Sequence, residues 1–261
     1  MCKKMTRVIV CAGGKGGTGK TTTSINLSAA LNYFGKRVTI IDANLTTPNV
    51  GLHLGVPIVP VTLHDVLKGR SDISEAVYLH KSGTRVVPAS IALNDLKRLD
   101  ITKLDKAIKK LVGSCDVIVV DAAAGLGKEA LSALKAADEV LIVTNPEIPA
   151  VTDALKTIKL CEEIKKPVIG VIINKTNVLN ADMALKDIEL ILEHPIIGVI
   201  PEDRSVKFAL VQKDAVVHTH PKSIASIQYK KLAAELFNID YNESFSEKRG
   251  FFGTIKGWFG K

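Results

Sequence analysis

Short apolar, β-branched runs recur along the chain: RVIVCA (7–12), RVTIID (37–42), DVIVVD (116–121), EVLIVT (139–144), PVIGVIIN (167–174) and IIGVI (196–200). They are apolar on both faces, as strands buried between two helix layers must be. Between them apolar residues return every three or four positions. That spacing predicts helices over 20–34, 102–112, 127–136, 150–165, 181–192, 203–212 and 222–236. TRVVPAS (84–90) is expected to add another strand. Alternation of strand and helix predicts βαβ units, a mostly parallel sheet with helices on both faces and hence a doubly wound α/β fold. The pattern stops near Asn238. We therefore expect a core domain over 1–238, a linker over 239–250 and a short tail over 251–261.

Length and composition agree with this picture. A chain of 261 residues, 46% apolar and 24% charged, suits one sizeable globular domain. No apolar run approaches the ~20 residues needed to span a bilayer. The run after the N-terminal lysines is short and leads straight into glycines, so it reads as a strand and not as a signal peptide. Cys2, Cys11, Cys115 and Cys161 are scattered, which argues against a disulfide framework or a local metal cluster and suits a reducing cytoplasm. Net charge is +8, and Lys248, Arg249, Lys256 and Lys261 supply half of it with no acid among residues 248–261. An anionic surface is the partner such a local excess implies.

The strongest chemical signal follows the first strand. Residues 13–24 read GGKGGTGKTTTS, and Gly14 through Thr21 match G-x-x-x-x-G-K-[ST]. Glycines allow a tight turn whose backbone N–H groups converge on a phosphate. The helix behind aims its positive end at the same point. Gly14, Lys15, Gly16, Gly17, Thr18, Gly19, Lys20, Thr21 and Thr22 are the expected nucleotide contacts. Lys20 is placed to reach the β- and γ-phosphates and the Thr21 hydroxyl to ligate Mg²⁺. Asp121 closes a buried strand at its C-terminal edge, where α/β folds bind ligands, and is the expected metal carboxylate. Asp42 ends another such strand and is available to the same metal shell.

The extra lysine in KGGTGKTT, Lys15, resembles the deviant phosphate loop of the MinD/ParA ATPases. The likeness extends over residues 7 to about 236. DAAAGLG (121–127) resembles that family's second switch, and TNPEIPAVTDALKTIK (144–159) is most similar to its MinD branch. The resemblance implies ATP and ADP as ligands, Mg²⁺ as cofactor, and an ATP-bound homodimer in which Lys15 reaches the partner's nucleotide. It also implies a protein partner near Asp153. The family's first switch usually reads Asp-x-Asp, its second acid orienting the attacking water; here that position is Asn44. An amide carbonyl still accepts a hydrogen bond from water but takes no proton, so slow hydrolysis is expected. NKTN (174–177) is similar to a base-reading loop. An amide where a carboxylate would read guanine favours adenine, with Asn174 contacting the base. Pro201, Glu202 and Asp203, in IPED, resemble the second adenine loop.

In the tail, Phe251, Phe252, Ile255, Trp258 and Phe259 fall on one helical stripe flanked by lysines. That pattern describes an interfacial helix for anionic membrane, templated by the surface it meets. It also resembles the membrane-targeting tail of the MinD branch. Together these features predict a cytoplasmic, membrane-cycling ATPase peripheral on the inner face of the cell membrane, without specific nucleic-acid recognition. A ParA-like partition ATPase that binds DNA non-specifically stays open on the basic charge. A nucleotide-locked scaffold stays open on Asn44. An iron–sulfur carrier of the superfamily would want cysteines near the second switch or a C-x-x-C pair, which this chain lacks.

Overall fold

Eight strands form one sheet in the order β3-β4-β2-β5-β1-β6-β7-β8 in a computed structural model that describes residues 6–97, 99–177 and 183–243. The strands are β1 (Arg7–Ala12), β2 (Val38–Ala43), β3 (Tyr78–Leu79), β4 (Arg85–Val87), β5 (Val117–Ala122), β6 (Glu139–Thr144), β7 (Val168–Thr176) and β8 (Ile196–Pro201). All neighbours run parallel except β3 and β4. The apolar runs are buried because both faces are covered. Val8, Val10 and Ala12 of β1 face one core, while Ile9 and Cys11 face the other.

The first core packs beneath α3 (Leu63–Leu67), α4 (Leu104–Leu111), α5 (Lys128–Ala136), α6 (Ile148–Glu163) and α7 (Leu185–Leu192). The second packs beneath α1 (Lys20–Tyr33), α2 (Val50–His53), α8 (Arg204–Val211), α9 (Val216–Thr219) and α10 (Ile224–Leu236). The chain reverses its winding beside β1: β2 lies beyond β5 on one side, and β6 follows on the other. The loops leaving β1, β2 and β5 therefore open one crevice at the C-terminal edge, the ligand position of doubly wound sheets.

The expected strands and long helices form. Residues 45–83 received no helix or strand from the pattern, yet they hold α2, α3, a 3₁₀ turn (Ile73–Ala76) and β3. These pieces are too short to show a period. Local capping makes them instead: Thr62 and Asp65 form a reciprocal box at α3, and Asp72 and Glu75 do so at the turn. The strand expected over 84–90 ends at Val87, since Pro88 has no N–H for the ladder. Beyond α10 the chain lies back on the body. Tyr241 meets Phe34 edge-on at 5.3 Å, and Glu243 pairs with Lys230 at 3.1 Å. The stripe Phe251, Phe252, Ile255, Trp258 and Phe259 lies outside the described residues.

Candidate active site

β1 hands over to residues 13–19, and α1 begins behind them at Lys20. Gly19 caps α1 at φ +91°, and a Cβ there would stand 2.0 Å from Asn174 Nδ2. At Gly14 a Cβ would stand 2.3 Å from the Asp153 carbonyl oxygen. The loop is thus closed between β7 and α6, and only glycine fits at these two points. Gly16 and Gly17 are exposed at its crest. Thr18 is buried, and its carbonyl accepts from Asn174 Nδ2 at 2.8 Å. Thr22 faces the neighbouring cavity.

The two loop lysines point differently. Lys20 is buried, and its Nζ donates to the Lys15 carbonyl at 2.9 Å, so the side chain folds across the loop mouth. Burial lowers its pKa, and the nearby Asp121 charge acts against that. A phosphate arriving there replaces a single carbonyl partner. The Lys15 side chain is 47% exposed and lies 3.9 Å from Glu147, on the open face of the loop.

Asp42 and Asp121 are register partners on β2 and β5, so the sheet sets two carboxylates side by side. Both are fully buried. Asp121 accepts from Thr21 Oγ1 at 2.6 Å and from Ser24 Oγ at 3.1 Å. Burial pushes its pKa up to about 6, restrained by those hydroxyls and by Lys20. Asp42 accepts the backbone N–H groups of Asn44, Asn49 and Val50 at 3.2, 2.9 and 2.9 Å. Its pKa is raised well above the carboxylate range, by burial first and then by the Asp121 charge. Two carboxylates and a threonine hydroxyl are hard oxygen donors short of positive charge, and they fit Mg²⁺. Among the described residues no cage of three or more His, Cys, Asp or Glu side chains forms.

Asn44 begins the loop after β2. Its Nδ2 donates to the Thr47 carbonyl at 2.6 Å, and its Oδ1 accepts from Thr47 Oγ1 at 3.0 Å. The side chain is held in a local turn, with a carbonyl lone pair left for a further donor. The next two residues are held from elsewhere: Glu129 Oε2 accepts from Leu45 N at 3.1 Å and from Thr46 N at 3.2 Å.

Beside the loop lies a cavity of about 300 Å³, lined by Thr22, Asn174, Lys175, Pro201, Glu202 and Tyr229 among others. The expected base loops both reach it. Asn174 is 5% exposed and is tied to the phosphate loop as described. The Asp203 carboxylate is committed within the protein: it caps α8 through Ser205 N at 2.8 Å and accepts from Ala225 N at 3.1 Å. Each Asp203 oxygen thus already serves one backbone N–H and keeps a lone pair beside the cavity. Asp153 bonds Lys156 at 3.1 Å through its side chain while its backbone abuts Gly14.

Sequence reasoning missed several neighbours. Lys175, at φ +57°, sends its Nζ to the Gly17 carbonyl at 2.7 Å. Asn145, with its amide oriented to suit both neighbours, donates to the Asn174 and Thr18 carbonyls at 3.3 and 3.1 Å. Ser24 holds Asp121 from inside α1. All three lay inside quoted stretches, Lys175 in NKTN, Asn145 in 144–159 and Ser24 in 13–24, but nothing in those stretches assigned them a partner.

A profile of the CobQ/CobB/MinD/ParA nucleotide binding domain matches residues 9–216. An uncharacterized ATP-binding protein of Methanocaldococcus jannaschii is 39% identical over 263 residues, covering all of both chains. The cell division ATPase MinD of Pyrococcus furiosus superposes with a TM-score of 0.86 at 35% identity, covering 89% of this chain and 98% of that one. The septum site-determining protein MinD of Pyrococcus horikoshii, solved with Mg-ADP, gives 0.85 at 35% identity, covering 88% and 96%.

Proposed function

The chain belongs to the CobQ/CobB/MinD/ParA family as a MinD/ParA-type ATPase, and from that membership we propose a nucleotide-driven switch that cycles between monomer and membrane-bound dimer. The observation that carries this reading is the divergence of the two loop lysines. Lys20 turns inward to its own phosphate site, while Lys15 stands half-exposed on the open face. A second copy facing that surface gives Lys15 a phosphate to reach.

In this reading ATP lies along the loop, with its base toward Asn174, Pro201 and Glu202. Thr21 and Asp121 would hold Mg²⁺, with Asp42 available beside them. Bound there, the metal would supply neutralisation of phosphate charge. Lys20 exchanges the Lys15 carbonyl for a phosphate oxygen, and Lys15 of the facing copy adds charge where the transition state gains it. The Asn44 carbonyl orients the attacking water without accepting its proton, so turnover is slow. The tail binds anionic lipid weakly when single and firmly when a dimer presents two, since the second binds at high effective concentration. The face around Asp153 receives a protein partner. In this reading the basic, aromatic tail holds the protein on the inner face of the cell membrane; among the described residues no helix is long and apolar enough to cross a membrane.

The test is light scattering with Mg²⁺ and ATP on wild type, Lys15→Ala and Lys20→Ala. Wild type dimerises, Lys15→Ala binds ATP and stays monomeric, and Lys20→Ala loses nucleotide binding or turnover. ATP-dependent dimers of Lys15→Ala would refute the cross-dimer role.

A further inference from the structure

The loop carrying Asn44 is held at three kinds of point. Asp42 grips its two ends through Asn44 N and through Asn49 N and Val50 N. The Leu45 side chain anchors in the core, 1% exposed. The third grip comes from a different part of the chain. Glu129 sits in the first turn of α5, directly after the second-switch segment 121–127. An acid there has a local role available, facing the positive end of its own helix. Its carboxylate instead reaches 84 residues back in sequence. One oxygen accepts from both Leu45 N and Thr46 N, and the other accepts from Thr46 Oγ1. Hydrogen bonds to an ionised acceptor are roughly twice as strong as neutral ones, and here three converge on one half-buried group.

We propose that Glu129 is a positioning residue for ATP hydrolysis: it joins the loop of Asn44 to the helix following the second switch, so that the water-orienting amide and the Asp121–Gly127 segment move as one unit. The inference rests on the reading of Asn44 given above, although the clasp itself does not. Thr47 fixes the Asn44 side chain only relative to its own loop. Without Glu129, the peptide groups of residues 45 and 46 lose their outside partners, and the loop turns about Asp42. A catalytic group displaced by about 1 Å can cost up to ~10²-fold in rate. Substrate affinity, set at the phosphate loop and the base cavity, stays where it was.

The experiment compares wild type, Glu129→Ala and Glu129→Gln by amide hydrogen exchange without nucleotide, by ATP binding and by steady-state hydrolysis. Glutamine keeps a carbonyl for the two N–H groups and an amide that the Thr46 hydroxyl can accept from. In Glu129→Ala we expect faster exchange at Leu45 and Thr46, kcat lower by about tenfold or more, and an ATP Kd within about twofold of wild type. Glu129→Gln should recover most of both losses. Unchanged exchange in Glu129→Ala would overturn the clasp itself. Lost protection with unchanged or raised kcat would overturn the positioning role while leaving the clasp. A wild-type protein without ATPase activity would instead overturn the reading of Asn44, and the exchange result would then decide the clasp alone.

Discussion

Replacing Asp121 by asparagine should stabilise the metal-free protein and abolish its answer to Mg²⁺. Asp121 is fully buried against a second carboxylate, and its pKa is raised from 3.8 to about 6. At about 1.4 kcal/mol per pH unit, that is about 3 kcal/mol of destabilisation in the ionised state. A carboxylate with a higher pKa folded than unfolded binds its proton more tightly in the native state. Its contribution is full below the unfolded pKa of about 3.9 and is lost as pH rises through about 6. Part of it remains at pH 5 and almost none at pH 7.5. Asparagine has the same shape and can serve both Thr21 and Ser24, whose hydroxyl hydrogens rotate to suit. It carries no charge, and it also relieves Asp42 of a repelling neighbour, which lowers the pH sensitivity further. Urea unfolding in EDTA at pH 5.0 and 7.5 reads the effect. The gap between Asp121→Asn and wild type should widen by about 1–2 kcal/mol from the lower to the higher pH, because that share of wild-type stability disappears. With Mg²⁺ and ATP the order should reverse, as wild type alone gains the full linkage stabilisation. An equal gap at both pH values would refute the burial argument, and a variant that still needs Mg²⁺ normally would remove Asp121 from the metal shell.

Gly14→Ala should lose nucleotide binding and about 1–3 kcal/mol of stability, since its new methyl meets the Asp153 backbone and no flexible side chain can give way; isothermal titration and thermal melts report both. Asn44→Asp should raise ATP turnover by giving the attacking water a proton acceptor. It should also cost about 1 kcal/mol through the lost bond to the Thr47 carbonyl; slower turnover would make the amide itself the better water holder. Trp258→Glu should leave ATP binding intact and release the protein from anionic liposomes in co-sedimentation. Equal sedimentation of the ATP- and ADP-bound wild type would refute the nucleotide switch.

The sequence by itself determined the parts whose chemistry is contiguous. The phosphate loop was legible because one turn needs its glycines, lysine and threonine at fixed neighbouring positions. The sheet was legible because a strand buried on both faces is apolar throughout. Asp42 and Asp121 could each be placed at a strand end by the same reasoning. Their pairing could not, because it depends on β2 lying beside β5 in register, and strand order is decided by how helices close over the sheet. Residues 45–83 were opaque for a related reason: their helices last one turn, shorter than any period, and stand by capping and by contact with the body. The structure alone decided that Asp203 spends its carboxylate on α8 and α10, that Lys175 closes over the phosphate loop, and that Glu129 reaches the loop of Asn44. Apart from the local cap of Asp203 on α8, each of these bonds joins groups far apart in the chain. A side chain's type states what it can donate or accept, and only the packing of elements states which partner arrives first.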